Sequence, residues 1–183
     1  MERERHMQGF ELEILNWIQV NLRCGILDAV MPAVSWICNH GEVWIILAAV
    51  LLAMPKTRKA GACLACALVL DLLLCNLWLK PWIGRVRPFV VNPGIKLLIT
   101  PPTDASFPSG HTAASFTAVS ALRTARSPLW KPSLALAAVI AFSRLYLYAH
   151  WPTDILGGIL VGTLAGWLGA KLALFLAEKM EKR

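Results

Sequence analysis

Residues 143–154 read Ser143-Arg144-Leu145-Tyr146-Leu147-Tyr148-Ala149-His150-Trp151-Pro152-Thr153-Asp154. This stretch closes one apolar segment, Pro132 to Ala149, and opens another, Pro152 to Ala177. Each is long enough to cross a bilayer as a helix. Pro152 suits a helix N-terminus, where its missing N–H would be unpaired anyway. It argues against one continuous helix through His150 and Asp154 and sets the pair across a tight turn between two spans. Asp154 falls in the first turn of the final helix, which favours negative charge. It can accept from one ring nitrogen of His150, fixing the tautomer and freeing the other nitrogen to attack. That is the base-and-orienter logic of a hydrolytic triad with the histidine itself as nucleophile. The plainer alternative is a structural His–Asp hydrogen bond at the interface. Arg144 lies inside an apolar run, where an unpaired charge costs at least about 2.5 kcal/mol. An anionic ligand or a carboxylate must compensate it.

Two further polar clusters lie upstream, also at ends of apolar segments. Lys80-Pro81-Trp82-Ile83-Gly84-Arg85-Val86-Arg87-Pro88 follows the span Gly61 to Leu79. Pro108-Ser109-Gly110-His111 opens the next helix, which runs to about Thr124. A transferring phosphoryl group spreads charge over three oxygens, and catalysis rests on positioning and neutralising them. Lys80, Arg87 and Arg144 supply that charge, arginine as a planar fork and lysine as a point charge. A Ser-Gly pair at a helix start offers backbone N–H groups and a positive dipole end to an anion. Ser109 either caps the helix or donates to phosphate, and His111 stands where a leaving oxygen needs a proton. Arg85 and Lys96 read instead as interfacial anchors. A metal mechanism needs two or three clustered carboxylates or histidines. Asp104, Asp154, His111 and His150 beside three cations are a poor set for that, so neither a metal nor a cofactor is expected.

The rest of the chain sets these clusters in a membrane. Of 183 residues, 57% are hydrophobic and 16% charged, against about 25% charged in soluble domains. Mean hydropathy is +0.57. The length allows roughly five or six spans of about 20 residues, with no room for a separate soluble domain. Net charge is +7, but the basic residues fall between apolar segments without a stripe of interleaved aromatics, so nucleic acid is not an expected partner. Cys24, Cys38, Cys63, Cys66 and Cys75 are odd in number and mostly sit in apolar stretches, as small packing residues do. The Cys63–Cys66 pair has no second pair to complete a zinc site. Residues 1–8 lack the apolar core of a signal peptide.

Phe10 to Leu22 reads as an amphipathic helix with Phe10, Ile14, Trp17, Ile18 and Leu22 on its apolar face and Glu11, Glu13, Asn16 and Gln19 elsewhere. Gly25 to Asn39, with Asp28 and Pro32, is an imperfect first span or a re-entrant piece. Val43 to Met54 stops at Pro55. Lys80 to Gly110 reads as a long loop. Lys56, Arg58 and Lys59, then Arg123, Arg126 and Lys131, then Lys179, Lys182 and Arg183 mark alternate ends of successive spans as cytoplasmic. The motif-bearing ends then face away from the cytoplasm. Asp71 and Asn76 are polar residues within a span; for Asp71 a packing hydrogen bond is preferred over a proton path.

Together the three clusters resemble the type-2 phosphatidic acid phosphatase superfamily. Its signature is Lys-x6-Arg-Pro, Pro-Ser-Gly-His and Ser-Arg-x5-His-x3-Asp; here these are Lys80 to Pro88, Pro108 to His111 and Ser143 to Asp154. The apolar segments give the expectation of an all-α polytopic transmembrane bundle with an amphipathic N-terminal helix and about six spans, the segment at 22–39 being the uncertain one. Residues 1–183 form one membrane-embedded phosphatase domain in this reading, with a family-like core over 41–177. The resemblance implies that His150 becomes a phosphohistidine oriented by Asp154 and that His111 protonates the leaving group. Lys80, Arg87, Ser109, Gly110 and Arg144 would hold the phosphate. The expected activity is metal-independent hydrolysis of a lipid phosphate or diphosphate at the outer face of the cell membrane. Undecaprenyl pyrophosphate is the leading substrate, ahead of phosphatidylglycerol phosphate and phosphatidic acid. A lipid phosphotransferase and a non-enzymatic lipid-binding protein are the rivals.

Overall fold

The apolar segments fold as helices. The computed structural model describes residues 2–181, and among these there is no strand. In chain order the helices are α1 (Glu2–Asn21), α2 (Gly25–Trp36), α3 (Glu42–Ala53) and α4 (Arg58–Asp71). A π-helical stretch, Leu72–Leu79, carries α4 straight into the short α5 (Lys80–Ile83). Then come α6 (Pro88–Val91), α7 (Gly110–Thr124), α8 (Trp130–Tyr146) and α9 (Pro152–Glu181). Gly41, at φ 79°, takes the left-handed conformation that starts α3. Pro152 stands at the first position of α9, as its chemistry demands.

α7 is the central helix. Its small residues Ala113, Ser115, Thr117, Ala118 and Ala121 are buried, and it packs most extensively on α9, then on α8 and α4. α7 and α9 run parallel. Gly158, Gly162 and Gly166, one turn apart, lie against Ser109, Ala113 and Thr117 in the same order. A Cβ at Gly162 would stand 2.2 Å from the Ala113 carbonyl oxygen. Small residues at this spacing let helix backbones approach closely in membrane bundles. The opposite face of α9 exposes Leu156, Leu160, Leu164, Leu168 and Leu172. The helix is thus apolar outward and close-packed inward, as a lipid-facing helix must be. The core below the site gathers Trp44, Leu51, Leu64, Ala118, Leu122 and Ile140.

Three expectations change. The segment Lys80 to Gly110 is not a plain loop, because α5 and α6 interrupt it. Within α1, Phe10 and Trp17 are exposed while Leu15 and Glu11 are buried, so the face that meets the bundle includes a carboxylate. Two helical stretches, Arg58–Val91 and Pro152–Met180, are long and apolar enough to cross a membrane by themselves, whereas α2 and α3 are shorter. The six-span count is therefore finer than helix length and composition alone support.

The α7–α9 seam yields a test. Gly162→Leu should lower thermal stability in detergent by about 1–3 kcal/mol, since the added atoms have no room. Leu164→Ala, on the exposed face, should leave the melting temperature within a degree or two, a surface-scale effect.

Candidate active site

Four helix ends converge at one end of the bundle: α5 after the π-helical stretch, the start of α7, the end of α8 and the start of α9. A π-helical turn of this kind recurs near functional sites. Here it delivers Asn76 and Lys80 to the start of α7. A Cβ at Gly110 would lie 3.1 Å from Asn76 Oδ1 and 3.5 Å from Lys80 Nζ. Glycine is what lets the helix start approach the lysine.

The expected cations come together. Lys80, Arg87, Gly110, His111 and Arg144 line one end of a cavity of about 1490 Å³. Arg144 is buried; its Nη1 donates to Ser35 Oγ, while its Nε has no partner among the described residues. A buried, unpaired guanidinium nitrogen beside a cavity suits an anion. His111 Nε2 lies 3.5 Å from Ser35 Oγ. The His111 carbonyl accepts from Ser115 Oγ at 2.7 Å, and Ser115 in turn accepts from Trp44 Nε1 at 3.1 Å. The first helical turn of α7 is thereby held from α3.

His150 and Asp154 bridge the turn between α8 and α9. His150 Nδ1 is 3.4 Å from Asp154 Oδ2, and Nε2 is 3.2 Å from Arg87 Nη1. The arrangement fits a proton on Nδ1 facing the carboxylate and a lone pair on Nε2 facing the cations. Burial, then the positive charges of Arg87 and Arg144, hold His150 well below the ordinary histidine range, which favours the neutral ring. Asp154 Oδ2 also accepts from Ser106 Oγ and from the Trp151 N–H at 2.9 Å.

Ser109 departs from the capping reading. It is buried at the start of α7 but makes no side-chain cap; its hydroxyl accepts from Thr112 Oγ1 at 3.1 Å. Its backbone N–H donates to the Asp154 carbonyl at 3.1 Å, tying α7 to α9. Arg85 is not an interfacial anchor. Its Nη1 donates to Asp154 Oδ1 and its Nη2 to Glu11 Oε2, each at 2.6 Å. The loop before α7 also contributes Asp104, whose carboxylate joins Lys80 and, at 2.7 Å, Arg87 Nη2. Ser35, Glu11, Asp104 and Ser106 were missed as parts of the site. A faint signal existed for two of them, since Asp104-x-Ser106 directly precedes the Pro-Ser-Gly-His motif.

The far end of the cavity is apolar. Ile45, Ala48, Leu52, Leu68, Val69 and Leu72 line it between α3 and α4 with its π-helical continuation, and Asp71 is the one carboxylate among them. The whole therefore pairs an anion-holding head with an apolar trough.

Comparison with known proteins places this arrangement. Residues 60–176 match the profile of the PAP2 superfamily. The chain is 34% identical over 168 residues to an undecaprenyl-diphosphatase of Sulfolobus acidocaldarius, covering 90% of this chain and 79% of that protein. It is 29% identical over 147 residues to the undecaprenyl-diphosphatase BcrC of Bacillus subtilis, covering 78% of this chain and 73% of that protein. Among solved structures, Aquifex aeolicus LpxE superposes with a TM-score of 0.73 at 27% identity, covering 87% of this chain and 94% of that one.

Asp104 sits where an incoming anion needs the cations. Although partial burial raises it, Lys80 and Arg87 hold its carboxyl down to about 2. The stability it contributes is full above the ordinary carboxylate pKa and is lost as pH falls from there through about 2. It therefore occupies both cations at any working pH. Asp104→Asn should tighten binding of inorganic phosphate by roughly tenfold, read as a lower product-inhibition constant. An unchanged constant would show that the carboxylate does not compete.

Proposed function

This chain belongs to the PAP2 superfamily and is a membrane lipid phosphatase; we propose that it hydrolyses a polyprenyl diphosphate through a phosphohistidine on His150. The supporting observation is the cavity itself. Its polar end holds three cations, a helix start and a histidine, and its other end is an apolar trough between α3 and α4. The relatives named undecaprenyl-diphosphatase favour a diphosphate carried on a long isoprenoid.

In this reading Lys80, Arg87, Arg144, the Ser109 hydroxyl and the α7 start at Gly110 bind the terminal phosphate, and the Ser109 backbone N–H sets the position of that helix start against α9. His150 Nε2 attacks phosphorus, forming an N–P bond as the bridging P–O bond breaks. His111 gives its proton to the departing lipid phosphate. Asp154 holds the Nδ1 proton and balances the positive charge that develops on the ring. Water then attacks the phosphohistidine, His111 takes its proton, and inorganic phosphate leaves. Each group does work that mutagenesis resolves: a general acid contributes about 10²–10⁴-fold.

We also read the whole chain as one membrane domain of about six crossings, with the site on the extracytoplasmic face. The support is topological. Arg58 opens α4, Arg123 and Lys131 flank the α7–α8 link, and Lys179 closes α9. All of these helix ends are opposite to the ends that carry the site.

Purified protein should release phosphate from polyprenyl diphosphate faster than from phosphatidylglycerol phosphate or phosphatidic acid, with chelator present. His150→Ala should lower kcat by about 10⁴-fold and His111→Ala by about 10²–10⁴-fold. Strict dependence on added divalent metal, or an active His150→Ala variant, would overturn the mechanism; preference for a glycerolipid would overturn the substrate. For orientation, a cysteine introduced at the exposed Gly94, with Cys24 replaced by serine, should react with an impermeant thiol reagent from outside the cell. Labelling only from the cytoplasm reverses the topology.

A further inference from the structure

Glu11 is a carboxylate in an unexpected place. It lies on α1, outside the stretch matched to the superfamily, and is 2% exposed. Its Oε1 accepts from the Thr153 N–H at 2.9 Å and from Thr153 Oγ1 at 2.6 Å. Its Oε2 accepts from Arg85 Nη2 at 2.6 Å. Arg85 spends its other nitrogen on Asp154 Oδ1 and Thr153 Oγ1, both at 2.6 Å, and lies 5.1 Å over the Trp151 ring. One guanidinium thus joins two carboxylates, one on α1 and one on α9, and its contacts to Trp151, Thr153 and Asp154 all fall within four positions of His150.

Resting on the phosphohistidine reading, we propose that Glu11 is a positioning residue of the phosphatase and that α1 is a working part of its site. Two effects follow from the geometry. Glu11 fixes the Arg85 fork, and the fork fixes the one carboxylate oxygen of Asp154 that neither Ser106 nor Trp151 holds. Glu11 also shares the Arg85 charge. Two carboxylates on one guanidinium leave a net negative charge beside the His150 ring, where attack on phosphorus creates a positive one. Without Glu11 the guanidinium would cancel Asp154 alone, and the developing imidazolium would lose its counter-charge.

The effect belongs to the chemical step and not to substrate binding, because Glu11 lines no part of the cavity. Glu11→Gln, which keeps size and most hydrogen bonding, should lower kcat by about tenfold or more with KM changed less than about threefold. Glu13→Gln, exposed on the same helix, should leave both unchanged. Arg85→Lys keeps the charge but cannot fork, and should lower kcat similarly. The double variant should be little worse than either single one, since both break the same link. Melting temperatures measured alongside separate this from simple unfolding. A Glu11→Gln kcat within about threefold of the parent, or losses that multiply independently in the double variant, would overturn the proposal. So would a kcat loss that vanishes when assayed well below a lowered melting temperature. If Glu11→Gln does not fold, the Arg85→Lys split of kcat against KM decides alone. Should the parent be active and His150→Ala inactive while Glu11→Gln is normal, the positioning role fails and the phosphohistidine reading stands. If His150→Ala is active, the reading beneath it fails instead.

Discussion

The Asp154 carboxylate is the point on which the rest of the structure leans. It gathers four groups from three parts of the chain: Arg85 from the loop after α5, Ser106 from the loop before α7, and both the Trp151 N–H and the His150 ring from its own turn. Its backbone carbonyl takes a fifth, the Ser109 N–H that starts α7. A buried carboxylate is costly unless it is fully hydrogen-bonded and paired. Meeting that requirement forces the loop segments, α7 and α9 into one relation. The geometry of the histidine is then a by-product of satisfying the aspartate.

A second constraint follows from the concentration of positive charge. Lys80, Arg87 and Arg144 share one polar end of the cavity. Asp104 offsets the first two, and Arg144 relies on the neutral Ser35 hydroxyl. The protein's own groups therefore leave Arg144, the cation most deeply set in the bundle, short of negative charge. A phosphate entering there meets the largest unmet demand farthest from water, where charge–charge attraction is strongest. A related argument explains why His150 keeps its lone pair: burial first, and then the neighbouring cations, make an extra proton on the ring unfavourable.

How much of this was legible in the sequence depends on distance along the chain. The three motif clusters were readable because each one packs its residues within a dozen positions and sits beside an apolar run. Pro152 gave away the turn between α8 and α9 through its own backbone chemistry. Ser35, Glu11 and Arg85 were not readable in this way. Ser35 reaches Arg144 across 109 positions, and Glu11 reaches Thr153 across 142. On an amphipathic helix a glutamate reads as solvent-facing, and only tertiary packing turns it inward. Arg85 looked like an anchor because a cation beside apolar residues usually is one. The Gly158, Gly162 and Gly166 spacing was a local signal of the α7–α9 seam that the motif reading passed over.

That seam divides labour within the molecule. His111 rides on α7 and His150 precedes α9, so the two histidine rings of the site are mounted on a single pair of helices whose backbones nearly touch. The apolar trough is walled by α3, which leans mainly on α4, and by the face of α4 that carries Leu68 and Val69. Substitutions that widen, narrow or reshape the trough can therefore accumulate without disturbing the spacing of the histidines. A scaffold arranged this way is free to change the hydrophobic cargo it accepts through evolutionary drift on one flank, while the chemistry on the other stays the same.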